Sequence, residues 1–123
     1  MKEHRIAVIP GDGIGREVMP EGVRVMEAAA ARHGVRLQWQ EFDWSCDWYK
    51  AHGKMCPDDA PRILRGFDAI YFGAVGNPSI VADHISAWGL LINFRRWFDL
   101  YVNLRPVRLF EGLPCPLAGR RPG

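Results

Sequence analysis

The chain has 123 residues, and its 16 Lys and Arg against 14 Asp and Glu leave a formal net charge of +2, too slight to favour a nucleic-acid partner. Hydrophobic residues at 48% and charged residues at 24% are ordinary for a globular protein and argue against disorder. No apolar run approaches the roughly 20 residues a membrane span needs, so no membrane association is expected, and the length suits one domain or a piece of a larger one.

The N-terminus has no apolar signal-peptide core, which sets the cytoplasm as the default location. His4 to Ile9, H-R-I-A-V-I, is a short β-branched run that reads as a buried strand ended by Pro10 and Gly11. G-D-G-I-G follows at 11 to 15, and then a helical pattern runs to about His33, with Val18, Val25, Met26 and Ala29 at helical spacings and Gly34 as its stop. Pro20 predicts an irregular start near Arg16 to Val18. Strand, glycine turn and helix invite a dinucleotide-binding reading, but the spacing fails because Arg16 stands where the third glycine belongs. Two readings stay open for this loop: a tight turn that needs glycine for its backbone angles, and a helix start whose N–H groups meet part of a cofactor.

Val35 to Asp43 alternates apolar and polar residues, as a strand with one covered face does. Trp44 to His52 reads as a short helix closed by Gly53. Asp58 or Asp59 is placed to cap a further helix that carries Pro61 in its first turn and ends at Gly66. Phe67 to Gly76 is the best strand, a near-continuous apolar run of the kind covered on both faces. Asn77 to Ser86 is loop-like, Gly89 to Phe98 amphipathic, and Leu100 to Phe110 extended. The tail after it is rich in Pro and Gly and carries neither signal. The order predicts an α/β fold, a largely parallel sheet of three or four strands flanked by helices. Cys46, Cys56 and Cys115 are odd in number and form no C-x-x-C pair, so neither a disulfide framework nor a zinc site is indicated.

Trp88 to Pro106 carries the chemistry. Arg95 lies in the helical pattern and Arg105 near the end of the extended one, so a helix folding back on a strand would bring two guanidinium forks to one carboxylate. The competing reading has both arginines solvated at a surface or paired with Asp99.

P-G-D-G-I-G-R-E-V (10 to 18), D-A-I-Y-F-G-A-V-G (68 to 76) and F-R-R-W-F-D-L-Y-V-N-L-R-P (94 to 106) stand together in order. This resembles the N-terminal part of the isocitrate/isopropylmalate dehydrogenase family. H-G-K-M (52 to 55), D-H-I-S (83 to 86) and Trp88-Gly89 point to its D-malate and tartrate dehydrogenase branch. The resemblance implies residues 1–123 of a single, longer domain, and NAD-linked oxidative decarboxylation of a small 2-hydroxy dicarboxylic acid, most simply D-malate to pyruvate and carbon dioxide. It also implies a bound Mg²⁺ or Mn²⁺ and a homodimer in the full-length form. By the same resemblance Arg95, Arg105 and Asn103 bind substrate, and Ile14, Gly73, Val75, Gly76 and Asn77 flank the nicotinamide end of the cofactor. Trp88 and Leu91 fall at the specificity position, where bulk without charge disfavours a third carboxylate; as apolar helix residues they also fit a plain core role. Family chains are about three times as long, so the catalytic lysine and tyrosine, the metal-holding aspartates and the adenine loop are expected after Gly123. The alternatives are an inactive truncated remnant, an isopropylmalate-dehydrogenase-like enzyme, and a small anion-binding module built on the two arginines.

Overall fold

In the computed structural model, which describes residues 2–121, strands β1 (Lys2–Gly11), β2 (Val35–Glu41) and β3 (Ala69–Ala74) form one parallel sheet in the order β2-β1-β3. The central place of β1 explains its composition: Ala7, Val8 and Ile9 are buried between two ladders, with Ile6 opposite both Trp39 and Ala69. Pro10 does not end the strand, which runs on to pair Gly11 with Ala74. The β2 register stops at Val8–Glu41, so no ladder bond from that side is asked of the Pro10 nitrogen.

Helix α1 (Ile14–Arg32) starts at once after the glycine turn rather than near Arg16 to Val18. Pro20 sits inside it, but φ of proline is already helical, and the single bond it forfeits lies on an exposed flank. Tyr71 and Gly73 face α1, where Gly22 and Met19 lie against them, whereas Phe72 points to the opposite face and meets Phe94 edge-on at 5.4 Å. Both faces of the sheet are therefore used. The second is filled by α2 (Cys46–His52), α3 (Ala60–Leu64), and a continuous helical run made of α4 (Asp83–Ser86), a π-helical segment (Ala87–Ile92) and α5 (Asn93–Trp97). Its core includes Ile9, Trp44, Met55, Leu64, Leu90 and Phe94.

The short helices are held by their caps. Gly53 closes α2 as the sequence predicts, its N–H donating to Tyr49 O, and at the other end Ser45 Oγ accepts from Trp48 N at 3.2 Å, a cap the sequence reading did not name. At α3 the prediction of an aspartate side-chain cap fails: the Asp59 carboxylate pairs with Arg62, and it is the Asp59 carbonyl that accepts from the Arg62 and Ile63 N–H groups.

The extended run Leu100 to Phe110 forms no strand, so no helix-on-strand hairpin carries Arg95 and Arg105. Tyr101, Val102, Leu104 and Val107 are exposed, and among the described residues no strand pairs with them. An alternating segment becomes a strand only when a ladder and an apolar face receive it. Among the described residues no helix is long and apolar enough to cross a membrane.

Candidate active site

The C-terminal ends of β1 and β3 meet where ligands of open parallel sheets bind. Three glycines make the approach possible. A Cβ on Gly11 would stand 2.0 Å from Ala74 O, one on Gly15 2.0 Å from Pro10 O, and one on Gly73 2.3 Å from the same carbonyl. The turn reading of the glycine loop is the one the backbone supports: Gly13 has φ 49 and ψ −118, and the Gly15 and Arg16 N–H groups donate back to Asp12 O and Gly13 O. Those donors are turned into the loop itself. Arg16 closes it further, donating from Nε to Gly11 O at 3.0 Å and from Nη2 to Asp47 at 2.9 Å.

Asp12 is the residue that joins the parts, and sequence reasoning missed it. It is 5% exposed, and its carboxylate accepts from Cys46 N at 3.0 Å and from Gly76 N at 3.0 Å, while its own N–H donates to Ala74 O at 2.7 Å. One carboxylate thus ties the glycine turn, the first turn of α2 and the loop after β3. The negative charge also faces the favourable end of the α2 dipole. An acid between two glycines was the available signal, because a side chain that short, so placed, is set to bond nearby backbone. Cys46 shares this junction. Burial pushes its thiol up to about 11, helped by the hydrogen bond to Asp12 and that carboxylate's charge, against the opposing pull of the Asn77 and Gly76 backbone.

Of the expected cofactor-side residues, Ile14 is 64% exposed at the first position of α1. Gly73 lies in β3, Val75 is half-buried, and Gly76 and Asn77 follow in the loop that Asp12 holds. The glycine turn and the loop after β3, far apart in sequence, are thereby neighbours.

On the substrate side, Arg95 is partly buried and donates from Nη2 to Asn103 Oδ1 at 3.2 Å. Asn103 is brought back by the turn at Asp99, which has φ 51, with the Leu100 N–H donating to Arg95 O at 2.8 Å. Arg105 is exposed on the segment beyond. Among the described residues neither arginine pairs with Asp99 or any other acid. Leu90 is the residue that enters the core; Leu91 is only partly buried and Trp88 is 54% exposed, so the core reading fits neither of them well.

A cleft of about 620 Å³ between α1 and the strands, lined by Val8, Met19, Pro20, Val23 and Glu41 among others, holds none of the predicted site residues. Metal ligation is not provided here either: among the described residues there is no group of three His, Cys, Asp or Glu side chains able to hold an ion. Asp58 and Asp59 are engaged by Lys54 and Arg62.

The sequence matches the family described as isocitrate/isopropylmalate dehydrogenase over residues 5–122. The chain belongs to that family. Within the isocitrate/isopropylmalate dehydrogenases it is 64% identical to the D-malate dehydrogenase (decarboxylating) of Escherichia coli (strain K12), over 100% of this chain and 34% of that one. It is 63% identical to the tartrate dehydrogenase/decarboxylase of Pseudomonas putida, over 97% of this chain and 33% of that one. The chain therefore spans about a third of the length of these relatives. The fold is similar to the crystal structure of the β-decarboxylating dehydrogenase of Thermococcus kodakarensis in its apo form, with TM-score 0.59 and 34% identity over 80% of this chain and 27% of that one. The parallel sheet flanked by helices is thus part of a decarboxylating dehydrogenase fold.

Proposed function

We propose that this segment belongs to an NAD-linked enzyme that oxidises and decarboxylates a small 2-hydroxy dicarboxylic acid, D-malate or tartrate, working as a homodimer. The observation that carries the reading is the similarity to D-malate and tartrate decarboxylating enzymes along the whole chain. Arg95, oriented through Asn103, grips the carboxylate that leaves, and Arg105 supplies a second guanidinium. Trp88 and Leu91 offer bulk and no charge, which suits an acid with a small group on carbon 3. The cofactor accepts the hydride when bound; Ile14 and the Gly73–Asn77 loop border its nicotinamide end, and their place at the C-terminal edge of the sheet fits that task. Among the described residues no metal cage is present, and the resemblance assigns the ligands of the Mg²⁺ or Mn²⁺ it implies to residues after Gly123.

The test is an assay of the full-length protein with NAD⁺, Mn²⁺ and D-malate, L-malate, tartrate or isopropylmalate. Reduced nucleotide and carbon dioxide in equal amounts from D-malate or tartrate are expected. Turnover confined to isopropylmalate would reject the substrate assignment, and turnover of none would reject the enzyme.

A further inference from the structure

The π-helical segment rests on a seat that the similarity of family motifs does not explain. Gly89 lies over Met55, so closely that a Cβ there would stand 2.4 Å from Met55 Cγ and 2.8 Å from Met55 Cβ. Met55 is itself 3% exposed and its Cβ is fixed to the backbone, so a methyl group on Gly89 is accommodated either by moving the helix or by turning the Met55 side chain into the cavity of about 300 Å³ that Met55, Cys56 and Gly89 line. Beside it the Cys56 thiol donates to Gly89 O at 3.7 Å. Burial, with the nearby charge of Asp58, pushes that thiol up to about 11, so it keeps the proton it donates. A π-helical turn is rare and often marks a functional site. Here the holding residues come from the loop between α2 and α3, remote in sequence from Trp88 and Leu91 on either side of Gly89.

We infer that this seat, Met55 and Cys56 beneath Gly89, determines substrate specificity, because it sets how far Trp88 and Leu91 stand from the group on carbon 3 of the acid. Neither seat residue touches the acid; both act by positioning the wall. A seat that sinks the helix toward the sheet leaves one depth of pocket, and lifting the helix leaves another. This deepens the dehydrogenase reading given above and rests on it.

The experiment uses the full-length enzyme and compares kcat/KM for D-malate with that for isopropylmalate. Gly89→Ala lifts the π segment and is expected to change the ratio by about tenfold or more, the scale on which a pocket senses one methylene. Cys56→Ala, which adds no volume and deletes only the thiol, is expected to move the ratio in the same sense by less. Met55→Gly in the Gly89→Ala background removes both close contacts and is expected to return the ratio toward that of the parent, a rescue that general damage to the fold would not allow. Labelling of Cys56 by a thiol reagent gives a readout independent of turnover: protected in the parent and exposed in Gly89→Ala. A folded Gly89→Ala protein with unchanged ratio, or with Cys56 as protected as in the parent, overturns the inference. A parent without turnover on D-malate, tartrate or isopropylmalate refutes the dehydrogenase reading instead, and the labelling still decides whether the seat holds the helix.

Discussion

Asp12→Ala is the sharpest test of how the site is assembled. The substitution strands the Cys46 and Gly76 N–H groups, which now donate to the carboxylate at 3.0 Å in surroundings where Asp12 is 5% exposed. A buried donor without a partner costs about 1–3 kcal/mol; the Cys46 N–H is buried and bears that cost in full, whereas Gly76 is an exposed residue whose N–H water can serve. A loss of about 2 kcal/mol follows. With a urea slope of about 1–3 kcal/mol per molar, the midpoint of unfolding should fall by about 0.7–2 M. Asp12→Asn keeps one acceptor oxygen but turns an NH₂ toward the other donor, so it should lose about half as much. Urea unfolding followed by tryptophan fluorescence measures the stability, and amide exchange at Gly76 and Cys46 reports the local effect. An Asp12→Ala protein that unfolds at the parent's urea concentration, with Gly76 exchanging at the parent's rate, would refute the view that this carboxylate ties the three loops.

Added methyl groups should separate backbone from side-chain crowding. Gly15→Ala drives a Cβ to 2.0 Å from Pro10 O and should cost more than about 3 kcal/mol, whereas at Gly22 the obstacle is the Tyr71 hydroxyl at 1.9 Å, a side-chain tip that swings aside for about 1 kcal/mol; equal melting temperatures for the two variants would contradict this. In the full-length enzyme Arg95→Lys keeps the charge but loses the fork that Asn103 orients, and kcat/KM for D-malate should fall about 100-fold, with Asn103→Ala raising KM about tenfold; steady-state kinetics decides, and a fully active Arg95→Lys enzyme would exclude a bidentate grip. Cys46 and Cys56 are both lifted from 9.0 to about 11 in the fold, so they favour the protonated, folded state below pH 9. That contribution should be complete at neutral pH and vanish as pH rises from 9 through 11, and a stability profile flat across that window in the parent would be evidence against it.

Strands and capped helices were legible in the sequence where local chemistry decides them. The apolar run of β3, the alternation of β2 and the stop of α2 at Gly53 all needed only near neighbours. Pro20 misled because a rule about losing one hydrogen bond was applied to an exposed flank, where the loss is small. Leu100 to Phe110 misled for the opposite reason, since an alternating pattern states a preference that only a neighbouring strand satisfies. Arg95 and Arg105 stood out by type and spacing, and Asn103 by the family resemblance, whereas the roles of Asp12 and Met55 depend on which loops the fold stacks together. No periodicity in the chain announces that a loop near residue 55 will support a helix near residue 89.

The bare stretch after Asp99 has a practical consequence for anyone who dissects the arginines. Tyr101, Val102, Leu104 and Val107 make it a sticky ribbon, and Arg105, Pro106 and Arg108 are the gatekeepers that keep such ribbons from stacking on one another. Neutralising Arg105 removes a gatekeeper along with a proposed ligand, so the variant should precipitate more readily than its parent, and its turnover has meaning only per molecule left in the supernatant.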